Sequence, residues 1–461
     1  MGDNLHYEKF SDGSVKCIED EIPFDLPEGW AWVRLGNLSA AIQYGLSNSA
    51  EPQGTHRLLR ITDIQDGKVD WNAVPFTTVN DPEAYLLKTG DIVFARTGAT
   101  VGKSFLITET PYPSVYASYL IRIRLLGSLS PEYIYQFFDS ACYWSQITDK
   151  SVGVGQPNCN GTSLKELFIP LPPISEQLRI VPTAQALLAY VAKIDAEKKS
   201  LLSIIMATKS KILDLAIRGQ LIPQDPNDEP ASVLLERIRA EKEELIKQGK
   251  IKRDKKESVI FRGEDNSYYE KMPDGKLHCL DDQLPFELPD GWEWCNLSMI
   301  GTTNIGLTYR PTNIEPDGVI VLRSCNIVND QVDLSDLVRV KTTIRENQYV
   351  QKNDILICAR NGSRALVGKC ALIPDLGEPA SFGAFMAIYR TEYFEYIVHY
   401  LRSSFFRSVF DDSNSTAINQ LTQDMLKRAI VPLPPVFEQR RITETIDAML
   451  FELNQMEKSL I

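Results

Sequence analysis

The sequence predicts an α+β protein: two similar mixed domains, joined and spaced by long coiled-coil-like helices, with an internal pseudo-twofold repeat. Three observations carry this. Tyr7 to Trp32 (YEKFSDGSVKCIEDEIPFDLPEGWAW) returns 262 residues later as Tyr269 to Trp294 (YEKMPDGKLHCLDDQLPFELPDGWEW), identical at fourteen of 26 positions. Each copy then runs through short apolar stretches punctuated by turn residues, the pattern of strands. Each is closed by PLPP, at 170–173 and 432–435, followed by helical periodicity. A long unit used twice is not a stacked solenoid.

In the first copy, LLRITDI (58–64), DIVFAR (91–96), SFLI (104–107) and YLIRIRL (119–125) have strand length and β-branched content. PEYIYQFFDSACYWSQI (131–147) reads as one amphipathic helix opened by Pro131. The paired tryptophans Trp30, Trp32, Trp292 and Trp294 read as core anchors. PLPP ends the domain because proline cannot continue a helix or a central strand.

Beyond it, Ser175 to Arg218 carries apolar residues at Leu187, Val191, Ile194, Leu201, Ile205, Ile212 and Leu215, steps of three and four with gaps at Lys198 and Thr208. This predicts a rod of about 67 Å, at 1.5 Å per residue, pairing with another helix. Gly219 is its expected C-cap. PQDPNDEP (223–230) reads as a linker, and Ala231 to Gln248 as a short charged helix with a Glu243/Lys247 pair. The basic run 247–256 reads as solvated linker or phosphate-touching arm. The second copy retraces the plan, with helix resuming at Val436 and Ile442, Ile446, Met449 and Leu453 on its apolar side. The expected boundaries are 1–173, 174–222, 223–264, 265–435 and 436–461.

Composition narrows the function. Hydrophobic content of 43% and charged content of 24% are those of an ordinary globular chain. No apolar run is long enough to span a membrane. Eight cysteines without a CxxC pair and four histidines argue against zinc or a disulfide framework and for the cytoplasm. A net charge of −12 argues against coating nucleic acid by bulk attraction. ARTGATVGKS (95–104) has three residues between Gly98 and Gly102 where a P-loop needs four. No catalytic constellation is recognisable, and Asp281-Asp282 and Asp411-Asp412 read as exposed turn acids.

Polar residues suited to DNA follow the strand-like runs, since arginine matches guanine, asparagine and glutamine match adenine, and hydroxyls hold phosphates. The first copy offers Tyr44, Arg57, Arg60, Thr62, Arg96, Thr97, Lys103, Gln156 and Asn158. The second offers Thr308, Tyr309, Arg323, Asn326, Arg360, Asn361, Arg364, Lys369, Asn414 and Asn419. Similar frames with different loops suggest related binders of different targets.

Taken in order and twice, LPxGWxW (26–32, 288–294), Arg-x-x-x-Ile (60–64, 323–327), Asp-Ile…Ala-Arg-x-Gly (91–98, 354–362) and PLPPxxEQxxI (170–180, 432–442) resemble the specificity subunit of type I restriction-modification systems. The resemblance implies two target-recognition domains reading a bipartite double-stranded DNA target, held apart by antiparallel helices. It implies no catalysis and no cofactor in this chain. S-adenosylmethionine would come with two modification (methyltransferase) subunits, and ATP with Mg²⁺ with restriction (motor-nuclease) subunits. The shorter second helix departs from that pattern. The alternatives are a repeat-built protein-interaction adaptor without DNA specificity, and an enzyme with unrecognised active-site residues.

Overall fold

The computed structural model describes residues 5–65, 67–150, 158–251, 253, 258–411 and 420–460, the side chains of 409–411 excepted. It divides into two compact units, Met1–Asp195 and Ala196–Ile461. The division falls inside one helix of 44 residues, Ile174–Ile217.

In the first unit the repeated opening stretch folds as a hairpin, Tyr7–Lys9 against Val15–Cys17. The central sheet is antiparallel, in the order Ser104–Leu106, Ile92–Ala95, Leu120–Leu125, Ser39–Tyr44. A second sheet pairs Ser114–Tyr116 in parallel with His56–Leu59, which pairs with Phe76–Thr77. Ile92, Phe94, Ile121 and Ile123 face a core closed by Ile134, Phe138 and Tyr143. Val93, Ala95 and Leu120 face the other core with Leu59 and Trp71. Both faces are covered, so the strands read as continuous apolar runs rather than alternating ones.

The expected single helix at 131–147 is two helices, Pro131–Phe137 and Ala141–Lys150. The cause is Ser140, whose hydroxyl accepts from the Tyr143 amide at 3.2 Å and so begins a new helix. Phe138 and Tyr143 stack across the break, with ring centroids 4.6 Å apart.

The second unit repeats the sheet as Thr302–Ile305, Met386–Arg390, Ile355–Cys358, Cys370–Leu372, extended by the hairpin Gln331–Val332 and Ile327–Val328. Here too Ile314–Leu322 pairs in parallel with Ala380–Phe382.

The shared motifs are joints of this frame. Trp30 Nε1 donates to Glu176 at 3.1 Å, and Trp292 Nε1 to Glu438 at 3.0 Å, tying each LPxGWxW to the first turn of the helix after PLPP. Gln177 and Gln439 donate to the carbonyls of Pro172 and Pro434, both at 2.8 Å. Those carbonyls have no intrahelical partner, so the glutamine side chain replaces it. Burial raises the Glu438 pKa, against the lowering effect of the Trp292 bond. Trp292 and Trp294 are buried, and truncating such a tryptophan costs about 3–5 kcal/mol. Trp30 and Trp32 are half-buried.

A second joint sits beneath each sheet. Arg124 grips the buried Asp91 with two bonds of 2.7 Å, and Arg390 grips Asp354 at 2.6 and 2.7 Å. Each aspartate also caps its own turn, accepting from the amides of Lys88 and Gln351.

In the second unit the long helix packs antiparallel to Val436–Leu460: Lys209 pairs with Glu457, and in the segment after the helix Gln224 reaches Glu438 and Asp228 pairs with Arg441. Ile205 and Ile212 of the expected partner-helix stripe are buried, and Leu215 half-buried. Ile442 and Ile446 are buried opposite, with Leu453 half-buried and Met449 exposed. Leu187, Val191, Ile194 and Leu201 are exposed. The helix stops at Gly219, with φ +66 and the Gln220 amide donating back to Leu215. The following helix is Ala231–Lys247; Glu243 bonds Arg253, and that bond, then the charges of Arg253 and, less, Lys247, lower its pKa. Of the basic run 247–256, Lys252, Lys255 and Lys256 lie outside the described residues.

Candidate nucleic-acid interface

The Arg-x-x-x-Ile element is a 3-10 turn in both copies. The Arg60 amide donates to Asp63 at 2.9 Å, and the Arg323 amide to Asn326 at 2.9 Å. The Arg60 guanidinium closes on Asp63 at 2.6 and 3.1 Å, which raises the arginine pKa. In the second copy Arg323 turns to Asp336 at 2.8 Å. Asn326 is only 1% exposed, and its amide donates to the carbonyls of Asp333 and Asp336. Its expected role as a base reader is therefore corrected: it is a turn anchor, with its polar groups already used. Arg60 and Arg323 keep part of their surface but act first as clamps.

A different group of candidates converges on one end of each sheet. In the first unit strand Ile92–Ala95 runs out at Arg96, whose amide donates to the Tyr119 carbonyl at 3.1 Å. Arg96 Nε donates to the Ser118 carbonyl at 3.0 Å, and its guanidinium lies over the Tyr44 ring at 5.0 Å. The Tyr44 hydroxyl accepts from the Gly161 amide at 2.8 Å. Thr97 pairs by backbone with the exposed Asn158.

The second unit builds the same end. The Arg360 amide donates to the Phe385 carbonyl at 3.0 Å, and Arg360 pairs by backbone with Gln420. Its guanidinium lies over Phe385, 5.6 Å from the ring centroid. Asn361 reaches Ser324 in the Arg323 turn at 3.5 Å, so loop and turn are neighbours. Gly45 and Gly306 hold the two tips: a Cβ on either would sit 2.3 or 2.2 Å from a carbonyl of the facing chain.

Of the remaining candidates, Lys103 and Lys369 adjoin the strand ends by backbone, their carbonyls accepting from the Ala95 and Cys358 amides at 2.8 Å each. Arg57, in strand His56–Leu59, lies over Phe76 and Tyr112 at 3.9 and 5.0 Å and donates to the Val74 carbonyl, which holds it against the second sheet. Thr62, Lys103, Thr308 and Arg364 are exposed. Lys369 is half-buried, and Tyr309 packs against Leu307, Val321 and Val340. Gln156, Asn414 and Asn419 lie outside the described residues. Sequence reasoning missed Tyr119, Phe385 and Gln420. Comparing the turns SYL (118–120) and AFM (384–386) between copies was the available signal. Among the described residues no group of three or more His, Cys, Asp or Glu side chains is placed to hold a metal, and no helix is long and apolar enough to cross a membrane.

The family model described as "Type I restriction modification DNA specificity domain" matches residues 27–204 and 289–461. The chain is 25% identical over 510 residues to the Type I restriction enzyme EcoAI specificity subunit of Escherichia coli, covering 95% of this chain and 80% of that one. It is 32% identical over 183 residues to the StySPI specificity subunit of Salmonella potsdam, covering 38% and 39%. Among solved structures it resembles a chain from a study of assembly and conformational transition in the type I R-M system, with TM-score 0.63, 18% identity and coverage of 95% and 94%. The HsdS subunit from Thermoanaerobacter tengcongensis matches with TM-score 0.54, 19% identity and coverage of 95% and 93%. These two show a common fold. Nothing in these likenesses supports the adaptor alternative.

Proposed function

The chain belongs to the type I restriction-modification DNA specificity family, and from that premise we propose that it is the sequence-reading subunit of a type I complex. Each α+β copy reads one half of a bipartite duplex target. The helices Ile174–Ile217 and Val436–Leu460 set the separation of the halves and dock the methyltransferase subunits. The chain is not itself an enzyme. Two modification subunits supply S-adenosylmethionine chemistry, and restriction subunits supply ATP- and Mg²⁺-dependent translocation and cleavage. Such partners also answer the charge problem, since a chain of net charge −12 need not enclose the DNA alone. All eight cysteines are unpaired, which supports work in a reducing cytoplasm.

One observation carries the reading: the same strand end, with an arginine fixed by its backbone to a facing turn, is built twice and bears different side chains each time. Each half-site contributes modest discrimination, about 1–3 kcal/mol per base pair. A stiff tether makes the second contact intramolecular and multiplies the two. The test is to express the chain with modification subunits and map methylated adenines across a genome. A target of two short elements at fixed separation is expected. A single uninterrupted target, or methylation without sequence dependence, would overturn the proposal.

A further inference from the structure

We infer that Tyr119 and Phe385 are specificity-determining residues, each laid against base edges of the half-site met by its own copy. The inference rests on the DNA-reading function proposed above. The two side chains occupy one structural position. Tyr119 immediately precedes strand Leu120–Leu125 and Phe385 immediately precedes Met386–Arg390. The turn beneath each is closed by the same bond, Leu120 amide to Ala117 carbonyl at 2.9 Å and Met386 amide to Gly383 carbonyl at 2.8 Å. The carbonyls of Tyr119 and Phe385 themselves accept from the neighbouring strand end, Tyr119 from the Arg96 amide and Phe385 from the amides of Ala359 and Arg360. The aromatic ring is thus carried on a fixed platform, which a reader needs.

Exposure gives the second argument. Tyr119 is 62% and Phe385 61% exposed, more than any other described aromatic residue of either sheet domain. A single exposed apolar side chain on a surface needs no explanation. Two at equivalent turns, both beside an arginine and with different neighbours (Ser118 and Leu120 against Ala384 and Met386), do.

The chemistry then differs between copies in a readable way. Phe385 has no polar atom, so the base feature it can recognise is apolar, and in the major groove that is the thymine methyl. Arg360 beside it offers a guanidinium suited to guanine. In the first copy Arg96 is drawn back onto Tyr44 and Ser118, which leaves Tyr119, with its hydroxyl, as the projecting group. The two tips therefore read different steps from one frame.

The experiment uses the full chain assembled with its modification subunits and scores relative methylation rates on targets mutated at every position. Phe385→Ala is expected to lose about tenfold to hundredfold discrimination at one or two adjacent base pairs of one half-site, leaving the other unchanged. Tyr119→Ala should do the same to the other half-site alone. Phe385→Leu, which keeps an apolar contact, should retain most of the preference. Unchanged position-by-position preferences in both alanine variants overturn the inference. Should Phe385→Ala abolish methylation, a restored rate on the same target in Phe385→Leu supports it, and an equally inactive variant overturns it. A wild-type complex without a bipartite target would instead remove the underlying reading.

Discussion

Replacing Gly219 with alanine tests how the long helix is joined to the second unit. Gly219 has φ +66 at the C-terminus of Ile174–Ile217, where its amide donates to Ala216 and the Gln220 amide to Leu215. An L-residue in that conformation costs about 1–2 kcal/mol. A Cβ there would also lie 2.4 Å from Pro289 Cγ and 3.1 Å from the Trp292 ring, inside the LPxGWxW motif. Forcing an extra methyl into packed surroundings adds about 1–3 kcal/mol. The expected loss is therefore about 2–5 kcal/mol. Gly249 supplies the control. It ends the helix Ala231–Lys247 with the same pair of bonds and φ +70, but nothing lies within 4 Å of its Cβ position. Gly249→Ala should lose only the backbone share, about 1–2 kcal/mol. Urea unfolding of the full chain measures both, the difference in midpoint multiplied by m giving the free energy. Equal losses in the two variants would refute the claim that Pro289 and Trp292 pack against the helix terminus.

Three further outcomes follow from the same geometry. Glu438 has its pKa raised by burial, so its ionisation disfavours folding: no penalty exists below the unfolded value, and it is fully present above the raised folded one. Glu438→Gln still accepts from Trp292 and cannot ionise, so its stability relative to wild type should improve as pH rises above the ordinary glutamate value of about 4.3, as thermal midpoints will show; a constant difference would contradict this. Asp354→Asn leaves Arg390 without its carboxylate and should cost about 2–4 kcal/mol, the figure for breaking a buried pair reduced because Arg390 is about one-third exposed. Inserting seven helical residues near Ser200 adds about 10 Å of rod, roughly three base pairs. The methylated target should lengthen its spacer while both half-sites stay the same, and an unchanged spacer would refute the ruler role.

Much of the frame was legible because backbone rules left few options. PLPP stops strands and helices wherever it stands, Gly219 announces a helix end, and a four-residue run such as Ile92–Ala95 between turn residues is a strand. What was not legible depended on partners distant in sequence. The break at Ser140 needed its hydroxyl to win the Tyr143 amide against helix continuation, a competition that apolar periodicity does not register. Tyr119 was hidden at the head of an apolar run, where one residue of register separates a projecting side chain from a buried one. The heptad-like stripe from Leu187 was legible as a pattern, but of its residues only Ile205 and Ile212 are buried.

The repeat itself says which residues to suspect, and in the opposite sense to first intuition. Trp30 and Trp292, Asp91 and Asp354, Arg124 and Arg390, Glu176 and Glu438, and Gln177 and Gln439 are identical between copies, and each is bonded into the frame. Arg60 and Arg323 share that fate as turn clamps. The positions that changed while keeping their place, Tyr44 to Ile305, Tyr119 to Phe385 and Asn158 to Gln420, lie at the strand end where backbone partners hold the turn and the side chains project. Two modules that share a scaffold and read different sequences must divide in this way, since any side chain common to both cannot distinguish one half-site from the other. Arg96 and Arg360 differ by register: Thr97 pairs with Asn158 and Arg360 with Gln420, so Arg360 stands one residue further along the strand end and Ala359 takes the place of Arg96. A shared residue type becomes a distinguishing group when its register and its neighbours differ, as with Arg96 over Tyr44 and Arg360 over Phe385.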